Sequence, residues 1–121
     1  MPPCRRCQPV PEEIRQAADL LGRRWLLSIL YAAHTGAVRY NEFLQAVGRI
    51  PPRTLAIRLV ELEEAGIFER RVLASRPPTV EYRLTPAGER LSVVVDALQR
   101  VAGPTAYRSK RTRVRPTSKL D

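Results

Sequence analysis

Arginine is the residue type in this sequence whose placement suggests binding chemistry. Arg53 and Arg58 lie in a segment whose leucines recur at helical spacing, and Arg76 lies between two β-prone runs, next to Pro77 and Pro78. A guanidinium donates several hydrogen bonds from one planar group, which suits phosphate oxygens and the major-groove edge of guanine. These positions therefore predict a surface that binds a polyanion.

The overall charge favours a nucleic acid as that polyanion. The 121 residues include 21 Lys and Arg against 12 Asp and Glu, which gives a formal net charge of +9. Residues 104–121 hold six bases and one acid, a local charge of +5, so residues 1–103 carry +4. Over the whole chain, 44% of the residues are hydrophobic and 27% are charged, as is usual for a folded globular protein. With the length of the chain, this composition predicts one folded domain with tails.

The sequence argues against several other classes of function. It has one histidine, and it has neither a glycine-rich phosphate loop nor a cluster of metal ligands, so we expect no enzyme, no metal and no cofactor. The longest apolar run, residues 26–33, is far below the roughly 20 residues of a membrane span. No apolar segment follows the basic N-terminus as it would in a secretory signal. We therefore expect a cytoplasmic protein that does not contact a membrane.

The two cysteines, Cys4 and Cys7, lie in a leader rich in proline and arginine, which we expect to be flexible over residues 1–11. Their spacing permits a local disulfide or half of a metal site, but two reduced and exposed thiols are the simplest interpretation. Arg5 and Arg6 lie between them and would favour the thiolate. A redox response through Cys7, or through both cysteines, therefore stays open.

Apolar residues at helical spacing predict four helices before the pattern changes. The expected helices are residues 12–21, 26–33, 40–47 and 52–65. Gly22 supplies a stop for the first, and Asn41 is the expected cap of the third. A tight turn, residues 48–51, separates the third helix from the fourth, in which Pro52 suits the first turn. His34 ends the second helix, where it suits the helix dipole.

The pattern then changes to that of β-strands. Two β-prone runs, 68–73 and 79–84, flank five residues that include Arg76, and together they predict a β-hairpin. Thr85 is the expected cap of a last helix that extends to about Val101. Residues 104–121 are predicted to be a disordered basic tail, which leaves 12–103 as the folded domain.

This order of elements is typical of a winged helix-turn-helix, a mainly α fold with a small β-hairpin. The helix 52–65 would enter the major groove of double-stranded DNA, and the wing 68–84 would contact the backbone or the minor groove. The side chains expected to contact DNA are Arg39, Arg53, Thr54, Ile57, Arg58, Arg70, Arg71 and Arg76.

Four ordered blocks between about residues 12 and 101 strongly resemble HxlR-type winged helix-turn-helix transcriptional regulators. They are residues 19–25 (DLLGRRW), 39–43 (RYNEF), 52–67 (PRTLAIRLVELEEAGI) and 80–88 (VEYRLTPAG). The resemblance implies a homodimer in which the first and last helices pack between subunits. It further implies a repressor-like regulator on a pseudo-palindromic site, with half-sites roughly 34 Å apart.

Two positions depart from the pattern of this family. In many members a cysteine opens the first helix, and in some it senses oxidants, quinones or electrophiles, whereas here Pro11 and Glu12 occupy that region. Pro51 stands where members commonly have a serine or a similar cap, so the recognition helix has no side-chain oxygen at its start. A small molecule or an oxidant remains the open candidate for an effector.

Two alternative functions remain. A low-specificity architectural protein, driven by the basic tail, would bind duplex DNA without sequence preference. A protein-interaction module would use the winged helix without DNA, although the arginines on both the helix and the wing argue against it. The operator, the signal and the direction of regulation stay open.

Overall fold

Six helices and one β-hairpin make up residues 6–102, the part of the chain that the computed structural model describes. The helices are α1 (Glu12–Leu21), α2 (Leu26–His34), α3 (Tyr40–Val47), α4 (Pro52–Glu64), α5 (Pro86–Arg90) and α6 (Ser92–Val101), and the strands are β1 (Phe68–Leu73) and β2 (Thr79–Leu84). Cys4 and the predicted tail, 104–121, lie outside the described residues. Among the helices described, none is both long and apolar enough to cross a membrane.

The core lies where α2, α3 and α4 meet the base of the hairpin. Its fully buried large side chains are Leu26, Ile29, Leu30, Phe43, Leu55, Leu59, Leu62 and Phe68. The rings of Phe43 and Phe68 lie 5.7 Å apart, centroid to centroid, which joins α3 to the hairpin. The predicted fold class, mainly α with one antiparallel hairpin, is confirmed.

The prediction of a single last helix is wrong, because this segment forms two helices that meet at Leu91. Gly88 in α5 approaches the turn after α4 so closely that a Cβ built on it would lie 2.3 Å from the carbonyl oxygen of Ile67. Hydrogen bonds from Leu91 N to Gly88 O and from Val94 N to Leu91 O, each 3.0 Å, tighten the junction. α5 therefore packs against β2 and the turn after α4, while α6 packs along α2.

The single histidine links α2 to α5. The Nδ1 atom of His34 lies 2.8 Å from the carbonyl oxygen of Leu30, and its Nε2 atom lies 3.2 Å from that of Gly88. The ring thus contacts the last turn of its own helix and the backbone of another. This position agrees with the structural role expected for His34 at a helix end.

The apolar sides of α1 and α6 are largely uncovered. α1 has no buried residue, and Ile14 on this helix is 56% exposed. On α6 only Val95 is buried, whereas Leu98 and Val101 are 42% and 59% exposed. The core described above therefore forms with little contribution from the first helix.

The start of α3 differs from the prediction that Asn41 caps it. The helix begins at Tyr40, so Asn41 lies within its first turn. The carboxylate of Glu42 instead accepts hydrogen bonds from the backbone N–H groups of Val38 (2.9 Å) and Arg39 (3.0 Å). Because these bonds stabilise the charged form, they lower the pKa of Glu42 below its ordinary value of 4.5.

In the Glu42→Gln variant, the free energy of unfolding should change less as the pH is lowered into the acid range. A carboxyl group whose pKa is depressed by folding contributes its full stabilisation above about pH 4.5, and this is lost as the pH falls through the folded-state pKa. We expect the variant to have the lower Tm at pH 7 and the difference to disappear near the acid limit. Thermal unfolding followed by circular dichroism across this range, with exposed Glu63→Gln as the control, measures the effect. Parallel Tm curves for wild type and Glu42→Gln would contradict the capping role.

Candidate nucleic-acid interface

The turn between α3 and α4 sets the position of α4. Gly48 ends α3 with a φ of +83°, a conformation that favours glycine, and Ile50 is buried beneath the turn. The hydroxyl of Tyr40 donates to the carbonyl oxygen of Pro52 at 2.9 Å, which joins the first turns of the two helices. The two helices of the predicted helix-turn-helix are thus connected both through the core and directly.

α4 buries one side and exposes the other. Leu55, Leu59 and Leu62 are fully buried, whereas Arg53 and Ile57 on the outward side are exposed. The helical spacing of the leucines fixes which residues face outward, because residues on one side of a helix recur every three or four positions. The outward side therefore offers a donor-rich guanidinium and an apolar side chain next to each other along the helix.

The first turn of α4 has no side-chain cap. Pro51 precedes the helix and makes no capping hydrogen bond, as its lack of a side-chain oxygen predicts. Thr54, also in this turn, is half-buried. The amino end of a helix carries a partial positive charge, so this end of α4 is favourable for an anion.

Arg58 is held inside the protein, although it was predicted to contact DNA. Its Nε atom donates to the carbonyl oxygen of Arg24 (2.8 Å), and its Nη1 atom donates to the carboxylate of Glu61 (3.1 Å). The same carboxylate lies 3.2 Å from the guanidinium of Arg23. The side chain of Arg58 is only 18% exposed, so it joins α4 to the turn between α1 and α2.

A pocket of about 590 Å³ opens between the first turn of α4 and the turn before α2. We call it the arginine pocket, and its lining residues are Arg24, Trp25, Arg49, Pro51, Thr54 and Arg58. The guanidinium of Arg24 lies over the ring of Trp25, 4.9 Å from its centroid. Arg24 and Arg49 were not identified as site residues from the sequence. Arg49 could have been found, because it lies in the predicted turn before the recognition helix. Arg24 could not, because no local pattern places it next to that turn.

The wing is attached to the loop before α3. The backbone N–H of Tyr82 donates to the carbonyl oxygen of Val38 (2.7 Å), and Arg39 pairs with Glu81 in an isolated antiparallel bridge. Glu81 is buried, and its carboxylate accepts from the Nε atom of Arg83 (2.9 Å). Arg39, one of the predicted contacts, is exposed and lies beside β2 of the wing.

The arginines of the wing have different surroundings. Strand pairing sets Glu69 opposite Arg83 and Arg71 opposite Glu81, so these four charged residues share one face of the hairpin. Arg71 also pairs with Glu69 at 3.1 Å. Arg70 lies on the other face and is exposed. Both arginines of β1 were predicted to contact DNA. The charge of Arg71 is partly neutralised by the neighbouring acids, whereas Arg70 lies on the face without those acids.

The tip of the wing exposes Arg76. The hydroxyl of Ser75 donates to the carbonyl oxygen of Pro77 (2.7 Å) and lies 2.9 Å from the hydroxyl of Thr79. These contacts close the turn on both sides of Arg76. The predicted hairpin tip is thus held by its own polar residues.

Cys7 is exposed in the segment before α1, and it is disulfide-bonded. This corrects the simplest expectation for the leader, in which both thiols are reduced. The close spacing of the two cysteines in the sequence allows such a bond. Cys4, the other cysteine of the chain, lies outside the described residues.

Taken together, a helix-turn-helix with an exposed second helix, followed by a hairpin attached at its base, is a winged helix-turn-helix. The model of the HxlR-like helix-turn-helix family matches residues 20–109. This chain belongs to that family.

Individual relatives agree with the family assignment. The chain is 37% identical to YdeP, an HTH-type transcriptional regulator of Bacillus subtilis, over 82 residues. These residues are 68% of this chain and 64% of YdeP. The chain thus spans less than two thirds of that relative. YodB, an HTH-type transcriptional regulator of the same organism, is 37% identical over 87 residues, which are 72% of this chain and 78% of YodB.

Solved structures of relatives have the same fold. The reduced form of YodB superposes with a TM-score of 0.69 at 35% identity, over 78% of this chain and 92% of that one. The redox regulator HypR in its reduced form gives a TM-score of 0.68 at 34% identity, over 74% and 88%. YodB has also been solved after diamide treatment and with bound quinone.

Arg58→Gln should destabilise the fold, whereas Arg53→Gln should not. Loss of the Arg58 guanidinium leaves the Arg24 carbonyl without its donor and leaves the half-buried Glu61 with Arg23 as its remaining cation, and an unsatisfied buried acceptor typically costs about 1–3 kcal/mol. Arg53 is exposed, and such substitutions usually change the free energy of unfolding by less than about 0.5 kcal/mol. Urea unfolding of both variants measures the difference. Equal unfolding free energies would contradict the internal role of Arg58.

Proposed function

We propose that this chain is a cytoplasmic, non-enzymatic transcriptional regulator that binds double-stranded DNA as a homodimer. The observation that carries the proposal is the two-sided character of α4, with a buried leucine side and an outward side that holds Arg53 and Ile57. An α-helix exposed in this way fits the width of the major groove. That YdeP and YodB are HTH-type transcriptional regulators supports the same function for this chain.

The side chains of α4 would read the DNA bases. Arg53 would donate to guanine or to a flanking phosphate, and Ile57 would contact a thymine methyl group. Thr54, half-buried in the first turn, would contact a thymine methyl group or a phosphate. Arg58 would act mainly by fixing α4, because its donors are occupied by Arg24 and Glu61.

The wing would contact the DNA backbone or the minor groove. Arg76 at the exposed tip is the side chain best suited to this role. Arg39 and Arg70 are exposed nearer the base and would contact phosphates. Arg71 would contribute less, because Glu69 and Glu81 share its face of the hairpin.

A homodimer would cover the apolar sides of α1 and α6. Ile14, Leu98 and Val101 are all exposed, and a groove of about 240 Å³ between α2 and α6 is lined mostly by apolar side chains, including those of Leu27 and Tyr31. Exposed apolar side chains that cluster along a groove are unfavourable in water and mark a contact surface. A second copy is the occupant we propose, because two copies would present two α4 helices to successive major grooves.

A second proposal concerns the redox state of Cys7. The residue is exposed and disulfide-bonded, and it lies in the segment before α1, which we propose to be part of the dimer surface. Formation of the disulfide removes two electrons and two protons from two thiols, and these pass to an oxidant such as diamide. The reduced and quinone-bound forms of YodB and the reduced and oxidised forms of HypR support a thiol-based response here.

Charge placed on the α1 and α6 sides should separate the dimer without unfolding the chain. Ile14→Glu combined with Leu98→Glu introduces charges that would be buried without partners in a dimer, at a cost of several kcal/mol. Light scattering after size-exclusion chromatography should give a monomer mass for this variant and a dimer mass for wild type. Ile57→Glu is the matched control, since Ile57 is 46% exposed but lies on α4. A dimer mass for the double variant, or a monomer mass for wild type, would contradict the proposed surface.

Arg53→Ala should remove sequence preference. We expect wild type to prefer a duplex from its own upstream region over a scrambled duplex, and the variant to lose about 1–3 kcal/mol of that preference. Fluorescence anisotropy across a salt series measures both affinities, with exposed Arg90→Ala on α5 as the control. Equal and salt-sensitive binding of both duplexes by all three proteins would favour the architectural alternative.

The wild-type titration repeated in dithiothreitol and in diamide, beside Cys7→Ser, separates a redox effect from DNA binding itself.

A further inference from the structure

We propose that the arginine pocket binds a phosphodiester group of the DNA backbone, next to the groove that α4 enters. The proposal rests on the function proposed above and adds a site outside the outward side of α4 and outside the wing. Arg24 and Arg49 are its new residues. Neither belongs to the surface that the sequence predicted.

The charges of the pocket suit a phosphate. Three of its six lining residues are arginines, and the other three, Trp25, Pro51 and Thr54, are uncharged. The nearby carboxylate of Glu61 is shared by Arg23 and Arg58, so it balances only one of two cations. The Arg24 guanidinium therefore adds a positive charge to the pocket that the Glu61 carboxylate does not balance.

The stacking of Arg24 on Trp25 leaves the useful part of the guanidinium accessible. The Cζ atom of Arg24 lies over the indole ring, 4.9 Å from its centroid, and this cation–π contact uses none of the N–H donors of the guanidinium. Stacking thus restrains the side chain without using its hydrogen bonds. Donors held in place in this way lose less conformational entropy when they bind an anion.

The backbone around Trp25 fixes this arrangement. Trp25 has a φ of +75°, a left-handed conformation that is unfavourable for a non-glycine residue. It is held there because its carbonyl oxygen accepts from Ile29 N (3.0 Å) at the start of α2, and because Arg58 binds the preceding carbonyl, that of Arg24. The strained residue and the arginine that lies over it are therefore both positioned by contacts with the core helices.

The location of the pocket identifies the source of the phosphate. Pro51 and Thr54 line it from the uncapped first turn of α4, whose partial positive charge also favours an anion. When such a helix lies in the major groove, its first turn is close to the sugar-phosphate backbone at the edge of the groove. A backbone phosphate is thus the anion that the proposed DNA complex brings to this pocket.

Trp25 allows a direct test, because it is the single tryptophan of the chain and lines the pocket. Binding of the upstream duplex to the full chain should change its fluorescence in a saturable manner. Arg24→Gln should weaken binding of the upstream and the scrambled duplex alike, by about tenfold at low salt, since a phosphate contact carries no sequence information. It should also reduce the slope of log K against log salt concentration by about one. Arg90→Gln, an exposed arginine on α5, is the matched control.

The outcomes separate this proposal from the function on which it rests. If Arg53→Ala abolishes sequence preference while Arg24→Gln changes neither affinity nor salt slope, the pocket proposal is wrong and the regulator remains. Inorganic phosphate, titrated against sodium chloride of equal ionic strength, should leave the Trp25 emission unchanged. A saturable response to phosphate that Arg24→Gln removes, without a response to duplex, would overturn the DNA backbone as the occupant. Equal thermal stability of Arg24→Gln and wild type verifies that the fold is intact.

Discussion

The burial of the leucine side of α4 is the constraint on which the rest of this structure depends. Leu55, Leu59 and Leu62 are fully buried, and burial of each contributes about 1.5–3 kcal/mol. The hydrogen bonds of Arg58, each contributing about 1 kcal/mol, adjust the position of a helix that the leucines already hold. Since the leucines determine which side of α4 faces inward, they also determine which side can meet another molecule.

The arginines divide into two groups that the net charge does not distinguish. Arg58, Arg71 and Arg83 are paired with acids of the same helix or hairpin, and Arg58 also binds a backbone carbonyl. Arg53 is exposed in the first turn of α4, and Arg76 is exposed at the tip of the wing. Within residues 6–102, fewer arginine charges are therefore available to another molecule than a count of bases suggests, and Arg53 and Arg76 are two that remain available.

Much of the fold could be predicted, because hydrophobic periodicity is a local property of the sequence. The first four helices and both strands lie close to their expected bounds. The break at Leu91 could not be predicted, because it follows from the close approach of Gly88 to Ile67, a contact between distant segments. Asn41 was a plausible cap by type, but the longer side chain of Glu42 reaches back to the same end of α3.

The site was less predictable than the fold for the same reason. The outward position of Arg53 and Ile57 follows from the leucine spacing, but the environment of Arg58 depends on a contact with Arg24, far away in the sequence. The arginine pocket likewise joins the turn before α2 to the turn before α4. A single sequence contains no pattern that brings those two turns together, so only the three-dimensional structure identifies Arg24.

The separation between the core and the exposed sides of α1 and α6 has an evolutionary consequence. Because α1 has no buried residue, substitutions of its exposed apolar residues, such as Ile14, change the packing of α2, α3 and α4 little. Two copies of such a gene in one cell could diverge at α1 and α6 until their products no longer form mixed pairs, while each kept the same DNA-facing side of α4. In the dimer proposed above, choice of partner and choice of DNA site would thus be encoded in different parts of the chain and could change independently.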